Sequence, residues 1–139
     1  RFVGVTRAGH PLSEGKMTVA RFAAGRHILI SRRGLDRGPV DDALELAGLS
    51  RTIATVVGGF AEALALARGS DLIATVPERY TGALRDGLFT FALPVKLAPL
   101  TISLLWHPRL DADPAHRWLR ELVKEVCGGA RDLHPRQGR

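Results

Sequence analysis

The sequence has few of the residues on which several classes of protein depend. Cys127 is its only cysteine, so no intrachain disulfide can form and a reducing compartment is expected. Aromatic residues make up 6% of the chain, too few for a platform on which nucleic-acid bases stack. The longest uncharged stretches hold about ten residues, well short of the roughly 20 that a membrane-spanning helix needs. These absences exclude a disulfide scaffold and a membrane span within the sequence.

The overall composition is that of one ordinary globular domain. Hydrophobic residues make up 45% and charged residues 24% of 139 residues. The net charge of +6 raises the question of a nucleic-acid partner. The basic residues are scattered along the chain and form no long run, so we do not assign nucleic-acid binding to these residues themselves.

Most of the chain alternates between short apolar runs and amphipathic segments. The runs predict strands at residues 2–6, 27–31, 52–57, 72–76, 88–93 and 101–106. The segments between them predict helices at residues 18–23, 39–47, 60–68 and 77–84. Strands that alternate with helices through short loops favour an α/β fold, with a Rossmann-like parallel sheet covered by helices on both faces.

The last predicted helix, residues 114–126, is flanked at both ends by residues that are typical of helix ends. Asp113 is placed to accept bonds from the first turn, Pro114 occupies a position where its missing N–H costs nothing, and Gly128 suits a left-handed exit. One face of this helix is apolar and must cover another apolar surface. Its members are Ala115, Trp118, Leu119, Leu122, Val123 and Val126, and the opposite, polar face holds Arg117, Arg120, Glu121, Lys124 and Glu125.

Ligands of open α/β sheets bind beyond the carboxyl ends of the strands, and three groups of residues fall there. At the end of the strand predicted at residues 27–31 come Ser31, Arg32 and Arg33, which can hold a carboxylate or phosphate or can form a solvated basic turn. After residues 52–57 come Gly58, Gly59 and Phe60, where free amides at a helix start can meet an anion or glycine can simply permit a tight turn. Thr75, Val76 and Pro77 end the next strand, either on the floor of a cleft or as a plain junction.

Other chemistry has weaker support. His107, Asp111, Asp113 and His116 are better explained as turn, cap and helix-surface residues than as metal ligands, so no metal site is expected. No serine lies in a nucleophile elbow, and no glycine-rich dinucleotide motif follows a strand. We therefore expect no cofactor and no enzymatic activity, and a small α/β enzyme remains only a distant alternative.

The run WHPR at residues 106–109, followed by DADPAHRWLRELV, resembles the C-terminal signature of LysR-type transcriptional regulators. Similar motifs continue upstream through VTRAGHPL, HILISRRG, VDDALELAGLSR, FAEALALARGSDLIATVPER and LPVKLAPLTISLLWHPR, so that the resemblance covers nearly all but the last dozen residues. The chain begins with Arg1 rather than Met, and we expect it to be roughly the second half of such a regulator.

The resemblance implies an effector-binding domain similar to type 2 periplasmic binding proteins, in which two subdomains are joined by crossing strands. On this mapping residues 1–127 are the C-terminal part of that domain and residues 128–139 a flexible tail. Residues 7–100 would be the second subdomain, residues 2–6 and 101–106 the hinge strands, and residues 114–126 the final helix of the first subdomain. The sequence departs from the family at Gly59, since family members commonly have a proline-serine pair there and glycine offers no hydroxyl.

The same resemblance implies a function and partners. The domain would bind a small effector, an organic acid, between its subdomains and so control transcription through an N-terminal winged helix-turn-helix outside this sequence. The regulator would be cytoplasmic and would form a homodimer or homotetramer. The alternative is an extracytoplasmic solute-binding protein of the same fold.

Overall fold

The computed structural model describes residues 1–99 and 101–128, which fall into two compact units, Arg1–Leu100 and Thr101–Arg139. The first unit contains a five-stranded sheet and three helices. Its strands are β1 (Phe2–Arg7), β2 (Arg26–Ile30), β3 (Thr52–Val57), β4 (Leu72–Pro77) and β5 (Leu88–Ala92). Its helices are α1 (Val19–Ala23), α2 (Pro39–Glu45) and α3 (Phe60–Arg68), with 3₁₀ turns at Pro11–Ser13 and Ala83–Arg85.

The strands lie in the order β3-β2-β4-β1-β5. β2 is parallel to both β3 and β4, whereas β1 is antiparallel to both β4 and β5. Four strands therefore share one direction, as predicted, and β1 alone runs against them. The sheet is therefore mixed, and the direction of β1 could not be read from the sequence because no helical crossover precedes this strand.

Both faces of the sheet are covered, which confirms the layered α/β architecture. On one face α3 buries Ala63, Leu64 and Ala67 against Val3 and Val5 of β1. On the other face α1 and α2 bury Phe22, Val40 and Leu44 against Ile73 and Phe91. Since alternate residues of each strand point to opposite faces, the two helical layers need both sets of strand side chains.

The predicted helix at residues 77–84 is wrong. Pro77 is the last residue of β4 and pairs with Phe2, and the N–H of Glu78 donates to the carbonyl of Arg1 at 3.0 Å. The chain then turns at Thr81, whose hydroxyl donates to the Pro77 carbonyl at 2.7 Å. A distant strand partner thus decides the conformation of Pro77, and the local sequence does not report it.

The second unit is built around the helix α4 (Pro114–Gly128), preceded by a 3₁₀ turn at Pro108–Leu110. Asp113 accepts a bond from the N–H of His116 at 2.7 Å, which confirms the predicted cap. Gly128 is still helical, so the predicted exit at that residue is wrong. Residues 101–106, predicted as a strand, pair with no strand among the described residues. The predicted tail at residues 128–139 lies outside the described residues from position 129 onward.

Arg120 organises this second unit, although its sequence position places it on the polar face of α4. Only 5% of the residue is exposed. Its guanidinium donates to the carbonyls of Leu110 and Asp111 at 2.9 and 2.8 Å. It also lies 4.5 Å from the ring centre of Trp106, a cation–π distance. Arg120 therefore ties the segment before α4 to the helix itself.

Within residues 1–99 and 101–128, no helix combines the length and the apolar character that crossing a bilayer requires.

His27 is buried in the first unit without full hydrogen bonding. Its Nε2 lies 2.8 Å from the carbonyl oxygen of Phe22, and its ring packs edge-on against the Phe22 ring with centres 4.7 Å apart. The Nδ1 atom is buried and has no partner among the described residues. Burial lowers the pKa of His27 from 6.5 to about 4, more than the bond to Phe22 raises it. The folded domain therefore holds a neutral imidazole.

We predict that this imidazole makes the stability of the domain depend on pH. At pH values well above 6.5 the His27 ring is neutral in both the folded and the unfolded protein, and its burial then adds no pH-dependent penalty. As the pH falls towards 4 only the unfolded ring binds a proton, so the free energy of unfolding falls by up to about 1.4 kcal/mol per pH unit. Urea denaturation between pH 7 and pH 4 measures this slope. His27→Leu should flatten it and the exposed-site control His107→Leu should not; an unchanged slope in His27→Leu would contradict the assignment.

Candidate functional site

The three groups of predicted site residues meet at one edge of the sheet. β3, β2 and β4 are neighbours and run in the same direction, so their carboxyl ends lie together. The loop after β2 and the end of β3 are joined directly, since the N–H of Ser31 donates to the carbonyl of Val57 at 2.9 Å. This edge lies wholly within the first unit.

The loop after β2 presents two free guanidinium groups. The hydroxyl oxygen of Ser31 accepts a bond from the N–H of Leu35 at 2.9 Å, and Gly34 follows with a positive φ of 67°. The bond between Leu35 and Ser31 and the positive φ of Gly34 close a tight turn, and Arg32 and Arg33 lie at its tip. Both arginines are exposed, and neither makes a hydrogen bond or ion pair with any residue in the described part of the chain. They are available to an anion.

The start of α3 is less suited to an anion than the sequence indicates. Gly59 caps the helix in an extended conformation, and Gly58 faces open space. However, the carboxylate of Glu62 folds back over Gly59, where it would overlap a Cβ atom built on that glycine. An incoming anion would therefore meet a negative charge. The signal was present in the sequence, since an acidic residue at the third helical position is typical of a capping box.

Val76 and Pro77 have structural roles. Val76 is fully buried in the core beneath α3, and Pro77 is a buried strand residue paired with Phe2. Thr75 belongs to β4, which lies between β2 and β1 in the sheet. Because it is next to Val76 in the strand, its side chain points to the opposite face of the sheet. Its Oγ1 is buried and has no hydrogen-bond partner among the described residues.

Thr75 and Phe60 line an apolar pocket of about 150 Å³. The other lining residues are Phe2, Ile28, Leu29, Ile30, Gly38, Pro39, Val40, Arg51 and Leu97. The ring of Phe60 also packs edge-on against Tyr80, with centres 5.8 Å apart. Tyr80 is 73% exposed, and sequence reasoning gave it no role. The remaining predicted site residues do not line this pocket.

Arg51, which the sequence analysis missed, forms a buried ion pair at the pocket wall. Its Nε and Nη2 atoms donate to the two carboxylate oxygens of Asp41, each at 2.8 Å. The side chains of Arg51 and Asp41 are only 2% and 17% exposed. Asp41 also accepts a bond from the N–H of Gly38 at 2.7 Å, which secures the start of α2. Burial raises the pKa of Asp41, but the bonds from Arg51 and Gly38 outweigh burial and leave that pKa lowered.

The residues considered as metal ligands have other partners. The Nδ1 atom of His107 accepts from the N–H of Arg109, Asp113 caps α4, and Nδ1 of His116 lies 2.8 Å from Nη1 of Arg120. Among the described residues, no group of three or more histidines, cysteines and acidic residues is arranged to hold a metal ion.

A mixed α/β sheet with helices on both faces is consistent with the fold of type 2 periplasmic-binding-protein-like effector domains. The family model described as "LysR substrate binding domain" matches residues 1–128, so the chain belongs to the LysR substrate-binding domain family. The resemblance and fold class predicted from the sequence are confirmed.

Three relatives illustrate the match. The chain is 34% identical over 132 residues to the HTH-type transcriptional activator NagR of a Ralstonia species, covering 94% of this chain and 44% of NagR. It is 32% identical over 127 residues to the HTH-type transcriptional activator NahR of Pseudomonas putida, covering 90% of this chain and 42% of NahR. The crystal structure of the regulatory domain of MexT, a transcriptional activator in Pseudomonas aeruginosa, superposes with a TM-score of 0.68 and 30% identity, covering 88% and 60% of the two chains.

The chain thus spans less than half the length of these curated relatives. They are transcriptional regulators rather than enzymes, and a solute-binding protein is not favoured by the comparison.

We predict that the Arg51–Asp41 pair contributes strongly to stability. Arg51→Met leaves the Asp41 carboxylate buried and unpaired, and should lower the free energy of unfolding by about 3–5 kcal/mol. Urea denaturation at pH 7 measures the loss. Arg26→Met, at the exposed first residue of β2, is the matched control and should change stability by less than about 0.5 kcal/mol. Equal, small effects in the two variants would show that the pair is not important for folding.

Proposed function

We propose that this chain is the effector-sensing part of a LysR-type transcriptional regulator and that its effector is a small organic anion. The observation that carries the proposal is the free guanidinium pair of Arg32 and Arg33 at the carboxyl edge of β2. Arginine binds a carboxylate through two parallel hydrogen bonds, and two adjacent arginines supply more positive charge than one carboxylate needs.

The charges around this edge favour the loop after β2 over the start of α3. Ser31 accepts one bond with its hydroxyl oxygen and keeps its own hydrogen to donate to a ligand. At the start of α3, the carboxylate of Glu62 already occupies the space beside Gly59. We therefore place the anionic group of the effector against Ser31, Arg32 and Arg33. We interpret Gly58 and Gly59 as residues that permit the tight turn between β3 and α3.

We further propose the division of the chain that the family implies. Residues 7–100 are the second subdomain, residues 2–6 and 101–106 connect it to the first, and residues 114–126 are the last helix of the first subdomain. An effector held between the subdomains favours one relative orientation by the difference in its affinity for the two. A winged helix-turn-helix elsewhere in the regulator makes the DNA contact, and the whole acts in the cytoplasm as a homodimer or homotetramer without catalysing a reaction.

The anion contact is tested by removing both guanidinium groups. Arg32→Ala/Arg33→Ala should weaken the binding of the best ligand among benzoate, malonate and citrate by tenfold or more, because charge-assisted bonds contribute roughly 1.5–3 kcal/mol each. Isothermal titration calorimetry measures the dissociation constant, and the melting temperature reports that the variant is folded.

The matched control is Arg26→Ala/Arg117→Ala, which removes the same charge from two other exposed positions. Its affinity should equal that of the unaltered chain. Equal affinities in both double variants would show that Arg32 and Arg33 form only a solvated turn, and would overturn the proposed contact.

The regulatory role is tested by reading the coding DNA immediately upstream of the codon for Arg1. We expect a winged helix-turn-helix followed by a linker helix. A secretion leader with no DNA-binding domain would instead identify a solute-binding protein and remove transcription from the proposal.

A further inference from the structure

The apolar pocket at the carboxyl edge of the sheet has room for about one six-membered ring. Its volume is about 150 Å³, and its wall, which includes Leu29, Ile30 and Phe60, is almost entirely apolar. An engineered cavity of about this volume, lined by leucine, isoleucine and phenylalanine in another protein, binds benzene. The pocket is partly open, so a ring inside it can carry a substituent that projects outwards.

The loop that carries Arg32 and Arg33 begins and ends at the wall of this pocket. Ile30, the residue before Ser31, lines the pocket, and so does Gly38, which follows the loop. Consecutive Cα atoms are only about 3.8 Å apart, so the backbone of the loop borders the pocket at both of its ends. The two guanidinium groups and the apolar pocket therefore belong to the same edge of the first unit.

The charge within the pocket wall is already compensated. Among the described residues that line the pocket, Arg51 alone is charged, and both carboxylate oxygens of Asp41 accept bonds from its guanidinium. A carboxylate placed inside the apolar wall would lose its hydration without a free cation to replace it. Arg32 and Arg33 are exposed and lie outside the lining, where they can supply that cation. A ligand that uses both features is apolar at one end and anionic at the other.

We propose that the effector is a monocarboxylate with a single apolar ring, held with its ring in the pocket and its carboxylate against Arg32 and Arg33. The inference rests on the proposed function and names the class of ligand that the anion contact takes. Compounds with several carboxylates and no ring, such as malonate and citrate, leave the pocket unfilled, so we expect them to bind less tightly than benzoate.

The first test compares benzoate, acetate and toluene on the unaltered chain of 139 residues. Benzoate has both the ring and the carboxylate, whereas acetate lacks the ring and toluene lacks the charge. NMR chemical-shift titrations give the three dissociation constants. Benzoate should bind at least about tenfold more tightly than either of the others, because it alone gains both the burial of the ring and the charge-assisted bonds.

Leu97 and Leu93 provide a matched pair of variants for the ring. Both side chains are half-buried and pack against the core beneath α1 and α2, but of the two only Leu97 lines the pocket. Leu97→Gln replaces part of the apolar wall with an amide, so it should weaken benzoate and toluene alike by about threefold to tenfold and leave acetate unchanged. Leu93→Gln should change none of the three affinities. If Leu97→Gln does not fold, the comparison of the three ligands on the unaltered chain still decides.

The double variant Arg32→Ala/Arg33→Ala tests the other end of the ligand. It should weaken benzoate and acetate by about tenfold or more, because both lose their charge-assisted bonds. Toluene should bind as it does to the unaltered chain, since it makes no bond to a guanidinium group.

The proposal is overturned if benzoate binds no more tightly than acetate, or if Leu97→Gln and Leu93→Gln have the same effect on benzoate. Either result would leave the anion contact, and with it the proposed function, in place. If Arg32→Ala/Arg33→Ala instead binds benzoate as tightly as the unaltered chain does, the anion contact itself is wrong, and the inference that rests on it is wrong as well.

Discussion

The first unit depends on the pairing of β1 with strands on both of its sides. Phe2–Arg7 forms antiparallel ladders with β4 and with β5, so the first residues of the chain occupy an interior position in the sheet. Val3 and Val5 then reach the core under α3, while Gly4 on the opposite face lies where a Cβ would overlap the ring of Phe91. The same pairing keeps Pro77 in a strand and brings Phe2 to the wall of the pocket. The core under α3, the strand conformation of Pro77 and one wall of the pocket therefore depend on this one strand.

The site combines two kinds of chemistry that the fold keeps apart. At the tip of a closed turn, the guanidinium groups of Arg32 and Arg33 face solvent without partners among the described residues. Inside the wall of the pocket, the guanidinium of Arg51 is compensated by Asp41. Arginine is thus exposed and unpaired among the described residues in one place and buried in an ion pair in the other, because burial makes an unpaired charge unfavourable whereas solvent does not.

Local patterns were sufficient where an element depends on its own residues. The bounds of β3 and α3 were predicted correctly, because an uncharged β-branched run and a mostly apolar helical segment meet at two glycines. The Asp113 cap was also predicted, since it needs only a neighbouring N–H. Prediction failed at residues 77–84 and at residues 101–106, where the conformation depends on whether a distant strand is present to pair. It failed for Arg120 because helical periodicity assigns a charged residue to solvent, whereas the carbonyls of Leu110 and Asp111 bind it in the interior.

By itself the sequence determined the family, the layered α/β class and the candidate residues that follow β2, β3 and β4, because periodicity, caps and motifs are local properties of the chain. Only the tertiary structure decided the reversed direction of β1, the ion pair of Arg51 with Asp41, and the burial of the Thr75 hydroxyl without a partner among the described residues. These features join residues far apart in the chain, and whether a polar atom is buried and satisfied depends on which groups the fold brings next to it.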